Sequence, residues 1–92
     1  MIEDHYYSRL TSQGRRELRN AYAAEQEGLC MYCAYPLHSE PPDHVKKPID
    51  WRLFPNGFLK YPVHLQHNHT TDLTEGAVHA YCNAVMWQYE GR

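Results

Sequence analysis

Hydrophobic positions change period several times along the chain. Residues 1–10 show no clear period, although Tyr6, Tyr7 and Leu10 are available to dock on another element. From Thr11 the spacing turns helical. Leu18, Ala21 and Tyr22 recur at helical intervals, Thr11 is placed as an N-cap, and Gly28 sits where a glycine follows a last turn. The pattern predicts a helix over about residues 12–27, to which Gly14 costs about 1 kcal/mol relative to alanine. Leu29 to Tyr35, closed by Pro36, reads as a tight turn rather than more helix.

Ser39 to Pro48 (SEPPDHVKKP) reads as an exposed loop. Ile49 to Gln66 carries strand-like runs on both sides of Pro55-Asn56-Gly57, which predicts a β-hairpin with Trp51, Phe54 and Tyr61 in its core. Gln66-His67-Asn68-His69 then falls at the end of a strand, TTDLTEG (70–76) reads as a polar turn, and Ala77 and Val78 as a short second strand. A last helix is expected from about His79 to Tyr89, burying Ala80, Ala84, Val85 and Trp87, with Gly91 near its end. These elements make an α+β chain without internal repeats.

With 92 residues there is room for one domain, 1–92, in which a helical segment 1–28 precedes a core 29–92. A chain this short buries only about 60 to 65% of its unfolded surface, so a staple beyond the apolar core is expected. No apolar run approaches the roughly 18 residues of a membrane helix, and residues 1–20 lack the basic and apolar regions of a secretory signal. The expectation is a cytoplasmic protein without a membrane partner. A net charge of -2 gives no global basic field, so any surface for nucleic acid must be local. Three cysteines are an odd count that favours metal ligation over a disulfide framework in a reducing compartment.

Cys30-x-x-Cys33 and His79-x-x-Cys82 are two pairs with the same internal spacing. Two intervening residues let both side chains of a turn or helix start converge on one tetrahedral Zn²⁺. A lone C-x-x-C would serve equally as a redox pair or as two core cysteines; the second pair uses every cysteine and supplies the staple. His64, His38 or His44 could stand in for His79.

The second cluster is Gln66-His67-Asn68-His69. Folding strand, turn, strand and helix back on themselves brings Asn83 beside it. A neutral histidine can take a proton from water at working pH while a second side chain holds a divalent ion, which is the minimum needed to hydrolyse a phosphodiester. Histidine pairs of this kind also arise on strands with no chemical role. Arg15, Arg16 and Arg19 on the first helix and Lys46, Lys47, Arg52 and Lys60 in the insert are seven of the nine basic residues and form the candidate DNA-binding groups.

The segment HLQHNHTTDLTEGAVHAYCN, preceded by GLCMYC, resembles the recombination endonuclease VII branch of the HNH (ββα-metal) nucleases over about residues 28–90. His69 and Asn83 lie 14 residues apart and Gly76 falls on the family glycine. The resemblance implies a small zinc-stabilised ββα-metal finger, here with an N-terminal helix and an inserted hairpin over about 39–62. It also implies a phage-type DNA endonuclease working in the host cytoplasm as a monomer or homodimer. His67 matches the general base, Asn83 the asparagine that holds the catalytic metal or orients the base, and His69 the second histidine near metal or phosphate. Cys30, Cys33, His79 and Cys82 match the structural zinc ligands. Gln66, His69 and Asn83 would hold a catalytic Mg²⁺ or Mn²⁺, with Ni²⁺ a further candidate. Gln66 and Asn68 stand where the family carries acids, and an amide is the weaker ligand for a hard cation. The alternative is therefore a non-catalytic zinc-stabilised module that binds nucleic acid or protein.

Overall fold

The first helix forms where the pattern places it. In the computed structural model, which describes residues 2–91, α1 spans Ser12–Glu25, and extended Thr11 accepts the Gly14 N–H on its hydroxyl at 3.0 Å. The helix stops two residues earlier than predicted because Glu27 and Gly28 both turn left-handed (φ 57° and 76°), and the Gly28 N–H closes back on the Ala23 carbonyl at 2.8 Å.

A two-stranded antiparallel sheet follows, β1 Val63–His67 against β2 Thr74–His79, in the register Val63↔His79 to Gln66↔Gly76. At the next step the register shifts to His67↔Thr74, leaving Glu75 as the extra residue of a bulge. Asn68 folds the connection. Its side-chain oxygen accepts the N–H groups of Thr70 and Thr71 at 2.8 and 3.0 Å. β2 runs directly into α2, Ala80–Glu90, and Gly91 ends that helix in a left-handed conformation (φ 70°). The second strand is thus longer than the two residues expected: Thr74, Glu75 and Gly76 belong to it, not to the turn.

The end of α1 docks on β2 through one side chain. Gln26 accepts the Ala77 N–H at 2.9 Å and donates to the carbonyls of Ala77 and Leu29 at 2.9 and 2.7 Å, so its amide satisfies both backbone groups of Ala77 on the strand's edge and ties the strand to loop 29–36. The core gathers Leu37, Val45, Ala77, Val78 and Met86 around Cys30 and Cys82.

The inserted hairpin is not present: no strand occurs over residues 39–62. Asp50 caps a short 3-10 turn, Trp51–Leu53, by accepting the Arg52 N–H at 3.1 Å. The aromatic residues of the insert satisfy one another instead of a strand ladder. Phe54 lies 4.8 Å from Phe58 and 5.3 Å from Trp87 of α2, and Trp51 lies 5.7 Å from Tyr81. Trp51 stays 41% and Tyr61 64% exposed, so neither is core. The insert is tied to α2 by Tyr81 donating to the Lys47 carbonyl at 2.6 Å and by the Asp50 N–H donating to Gln88 at 2.9 Å.

The N-terminal segment docks as well. Tyr6 bridges Leu73, the Tyr7 N–H donates to the Asp72 carbonyl at 2.8 Å, and the Thr74 N–H donates to the His5 carbonyl at 2.9 Å. Among the described residues no helix is long and apolar enough to cross a membrane.

Candidate metal centre and adjoining cleft

Loop 29–36 is a closed turn. Leu29 bridges Pro36, and Ala34 takes a left-handed conformation (φ 63°) that turns the chain back so that the Tyr35 carbonyl accepts the Cys30 N–H at 2.8 Å. His79 is the last residue of β2 and Cys82 lies in the first turn of α2, so the second pair projects from the strand-to-helix junction. The ligand atoms of Cys30, Cys33, His79 and Cys82 all lie within 4.8 Å of one another. A tetrahedral ion with sulfur ligands at about 2.3 Å requires neighbouring ligand atoms about 3.8 Å apart. The His79 Nδ1 is 3.4 Å from the Cys33 sulfur and 3.6 Å from the Cys82 sulfur, which fits that requirement. These four side chains can hold a metal ion such as zinc, and His79 completes the set rather than His38, His44 or His64.

The surroundings favour the same use. His79 Nε2 lies 2.8 Å from the Pro36 carbonyl, an acceptor only, so Nε2 carries the proton and Nδ1 turns its lone pair to the sulfurs. The His79 backbone N–H donates to the Cys30 sulfur at 3.4 Å. The hydrogen bond from Cys82 holds the Cys30 thiol down to about 4 despite burial, while Cys82 is pushed up as the donor of that bond and Cys33 is pushed up by burial. A cation held among the three sulfurs would favour their thiolate forms.

Beside this centre lies a cleft of about 370 Å³ bounded by α1, β1 and the start of α2. In a regular strand, consecutive side chains point to opposite faces. The cleft runs along the end of β1 beside the bulge, and Gln66 and His67 both line it together with His69 and Asn83. Gln66 is buried and donates through Nε2 to the His67 carbonyl at 2.9 Å. Asn68 stays out of the cleft because its side chain is engaged in the turn. The His67 ring stacks on Tyr7 with centroids 3.9 Å apart and planes 10° apart, and lies 4.5 Å from the His69 ring. Burial, then the neighbouring His69, lowers the pKa of His67, while Asp72 acts in the opposite direction.

His64, considered in the sequence only as a stand-in zinc ligand, is a member of this cleft. Its Nδ1 lies 3.1 Å from the Asn83 amide nitrogen, which donates to it and thereby turns the Asn83 oxygen away. Burial lowers its pKa too. Its position two residues before Gln66 on a strand was the available signal, since a period of two places both on one face.

The candidate DNA-binding residues do not gather. Arg15 and Arg19, one helical turn apart, line the cleft, and Arg16 lies beside Arg19 and Tyr61 in a shallower groove. Arg52 is held by Asp50 through two bonds of 2.9 Å, Lys46 pairs with Glu40 at 3.1 Å, and Lys47 and Lys60 rest over the rings of Tyr89 and Tyr61 at 5.1 and 5.6 Å. No protein-family model, curated protein or solved structure matches the chain.

Proposed function

We propose that the chain is a metal-dependent endonuclease of the HNH (ββα-metal) type that hydrolyses DNA phosphodiester bonds with His67 as general base. One observation carries the reading: Gln66, His67, His69 and Asn83 share a single cleft at the end of a strand-strand-helix unit whose junction holds the Cys3His cluster. His67, neutral at working pH because burial opposes its protonation, takes the proton of a water attacking phosphorus. Arg19 lines the same cleft and is the cation available to a phosphate there, while Arg15 rests on the Tyr7 ring. Gln66, His69 and Asn83 are the donors for a divalent ion, which when bound supplies positive charge against the charge building on the phosphate. Neutral amide and imidazole donors suit Mn²⁺ or Ni²⁺ better than Mg²⁺.

The test is nicking of supercoiled plasmid with Mg²⁺, Mn²⁺ or Ni²⁺, or with brief EDTA, alongside His67→Ala. The expected outcome is metal-dependent conversion to open circle that His67→Ala slows by about 100-fold or more while zinc content stays the same. Cleavage at the natural rate in His67→Ala overturns the assignment. A second reading, a non-catalytic zinc-stabilised binding module, draws on a specific feature: no aspartate or glutamate lines the cleft among the described residues. Cleavage that appears only after Gln66→Asp would favour that reading.

A further inference from the structure

We infer that Tyr7, braced by Arg15, is a positioning residue that holds the His67 ring in its working orientation; this rests on the endonuclease reading above. His67 is the last residue of its strand, and the Asn68 N–H after it donates to the Leu73 carbonyl at 2.9 Å, so the backbone is held while the ring depends on its neighbours. The ring is covered closely by Tyr7, at 3.9 Å and within 10° of parallel, while His69 packs against it at 4.5 Å. The far face of Tyr7 carries the Arg15 guanidinium at 3.9 Å, and Arg15 Nη2 also donates to the Tyr7 carbonyl at 3.2 Å. The result is a stack of four groups, Arg15, Tyr7, His67 and His69, drawn from three separate parts of the chain.

Two further features mark the stack as a built arrangement. Tyr7 is anchored by its own backbone to the turn that follows His67, through its N–H on the Asp72 carbonyl at 2.8 Å, and Ser8 next to it donates its N–H to the Asp72 carboxylate at 3.1 Å. Arg15 Nε is the one buried side-chain nitrogen or oxygen without a hydrogen bond among the described residues. The guanidinium thus keeps its Nη2 bond to Tyr7 and leaves Nε without a partner while its carbon stays over the Tyr7 ring. The chemical consequence follows from geometry. A general base must keep its lone pair within hydrogen-bond reach of the water it deprotonates, and a displacement of about 1 Å can cost about 100-fold in rate. A planar wall fixes the plane of the imidazole while the ring lines the cleft.

The experiment uses Tyr7→Leu and Tyr7→Phe, each in the natural protein and in His67→Ala, with plasmid nicking and proton NMR as readouts. Tyr7→Leu is expected to lower kcat about 10- to 100-fold with KM for DNA unchanged, Tyr7→Phe to restore the rate, and Tyr7→Leu to remove nothing more from the residual rate of His67→Ala. By NMR the His67 ring protons are expected upfield in the natural protein and in Tyr7→Phe, and released in Tyr7→Leu. If Tyr7→Leu loses its zinc, Tyr7→Met, which fills the space without a planar face, takes its place. An unchanged kcat, a loss confined to KM, or an equal loss in both backgrounds overturns the proposal. So does a His67 ring without the upfield shift. If the natural protein cleaves no DNA, the endonuclease reading fails, and the NMR comparison still decides whether Tyr7 holds His67.

Discussion

Removing the metal from the Cys3His cluster is expected to unfold the chain rather than merely loosen loop 29–36. The structure exposes 6115 Å², while an average folded monomer of 10.9 kDa exposes about 5,600 Å². Its buried hydrophobic residues are small: three are alanines, none is aromatic, and two, Cys30 and Cys82, are cluster members. A core of this kind supplies at most about 3 to 5 kcal/mol in a domain near this size. A structural zinc site in a small finger contributes on the order of 10 kcal/mol of apparent binding free energy at neutral pH. The cluster ties loop 29–36 to the junction of β2 and α2, and α1 reaches the same strand through Gln26 and Tyr22. Losing that tie therefore leaves α1, 14 residues long, without the partner that a helix of this length needs in water.

The assay is a circular-dichroism melt of the reduced protein, metal-loaded and after chelation, with metal content measured per chain. If even about 4 kcal/mol is lost, Tm falls by roughly 16 to 32 °C for a domain this small. Cys82→Ala should reproduce the effect, because alanine fills the buried site but removes a ligand. One metal per chain and recovery of the melt on adding zinc back complete the expected result. A reduced, metal-free protein that melts cooperatively within about 5 °C of the loaded form would refute the argument, since that interval corresponds to only about 1 kcal/mol.

Gly76→Ala should cost about 1 to 3 kcal/mol, because the new methyl would lie 2.7 Å from both Gln26 Oε1 and Met31 Sδ while Gln26 is pinned by its bonds to Ala77 and Leu29; an unchanged melt would contradict this. The cleavage rate should rise with pH as His67 loses its proton, with the midpoint of the acid limb below about 6.5, because burial and His69 lower its pKa. The same shift means that the unfolded chain takes up the proton first as pH falls, so stability declines below about 6.5; a midpoint above that value would count against His67 as the base. Arg19→Gln should weaken DNA binding and reduce the slope of log affinity against log salt by about 1, whereas Arg52→Gln should have the smaller effect because Asp50 already holds its guanidinium; a reversed order in a salt titration would move the DNA path away from the cleft.

What was legible in the sequence was what acts over a few residues. The cap at Thr11, the left-handed Gly28 and the two ligand pairs with their two-residue gaps are local devices, and the structure forms all of them. The failures share the opposite character. Apolar residues beside Pro-Asn-Gly predict a hairpin over 49–66, but Phe54 packs on Trp87 and Trp51 on Tyr81, contacts about 30 residues distant that no short window displays. Tyr7 lies 60 residues from the histidine it covers, so no periodicity in residues 1–10 could announce it. His64 was visible as a letter but needed the strand phase to place it in the cleft.

The residue that departs most from the nuclease pattern, Gln66, also has the most specific local reason for being an amide. Its nitrogen donates to the His67 carbonyl at 2.9 Å and points toward Glu75 Oε1 at 3.5 Å. A carboxylate there would set one acceptor against two others at a site only 2% exposed, an arrangement that needs a cation to hold it together. The amide satisfies these groups without one. It also fixes the carbonyl of the residue proposed as base, beside the bulge at the end of β1. Gln66→Asp therefore does more than restore a ligand. It should make the fold of the β1 end depend on a divalent ion, so that added Mn²⁺ raises Tm in Gln66→Asp by more than in the natural protein. Equal shifts in the two proteins would show that position 66 does not face the ion.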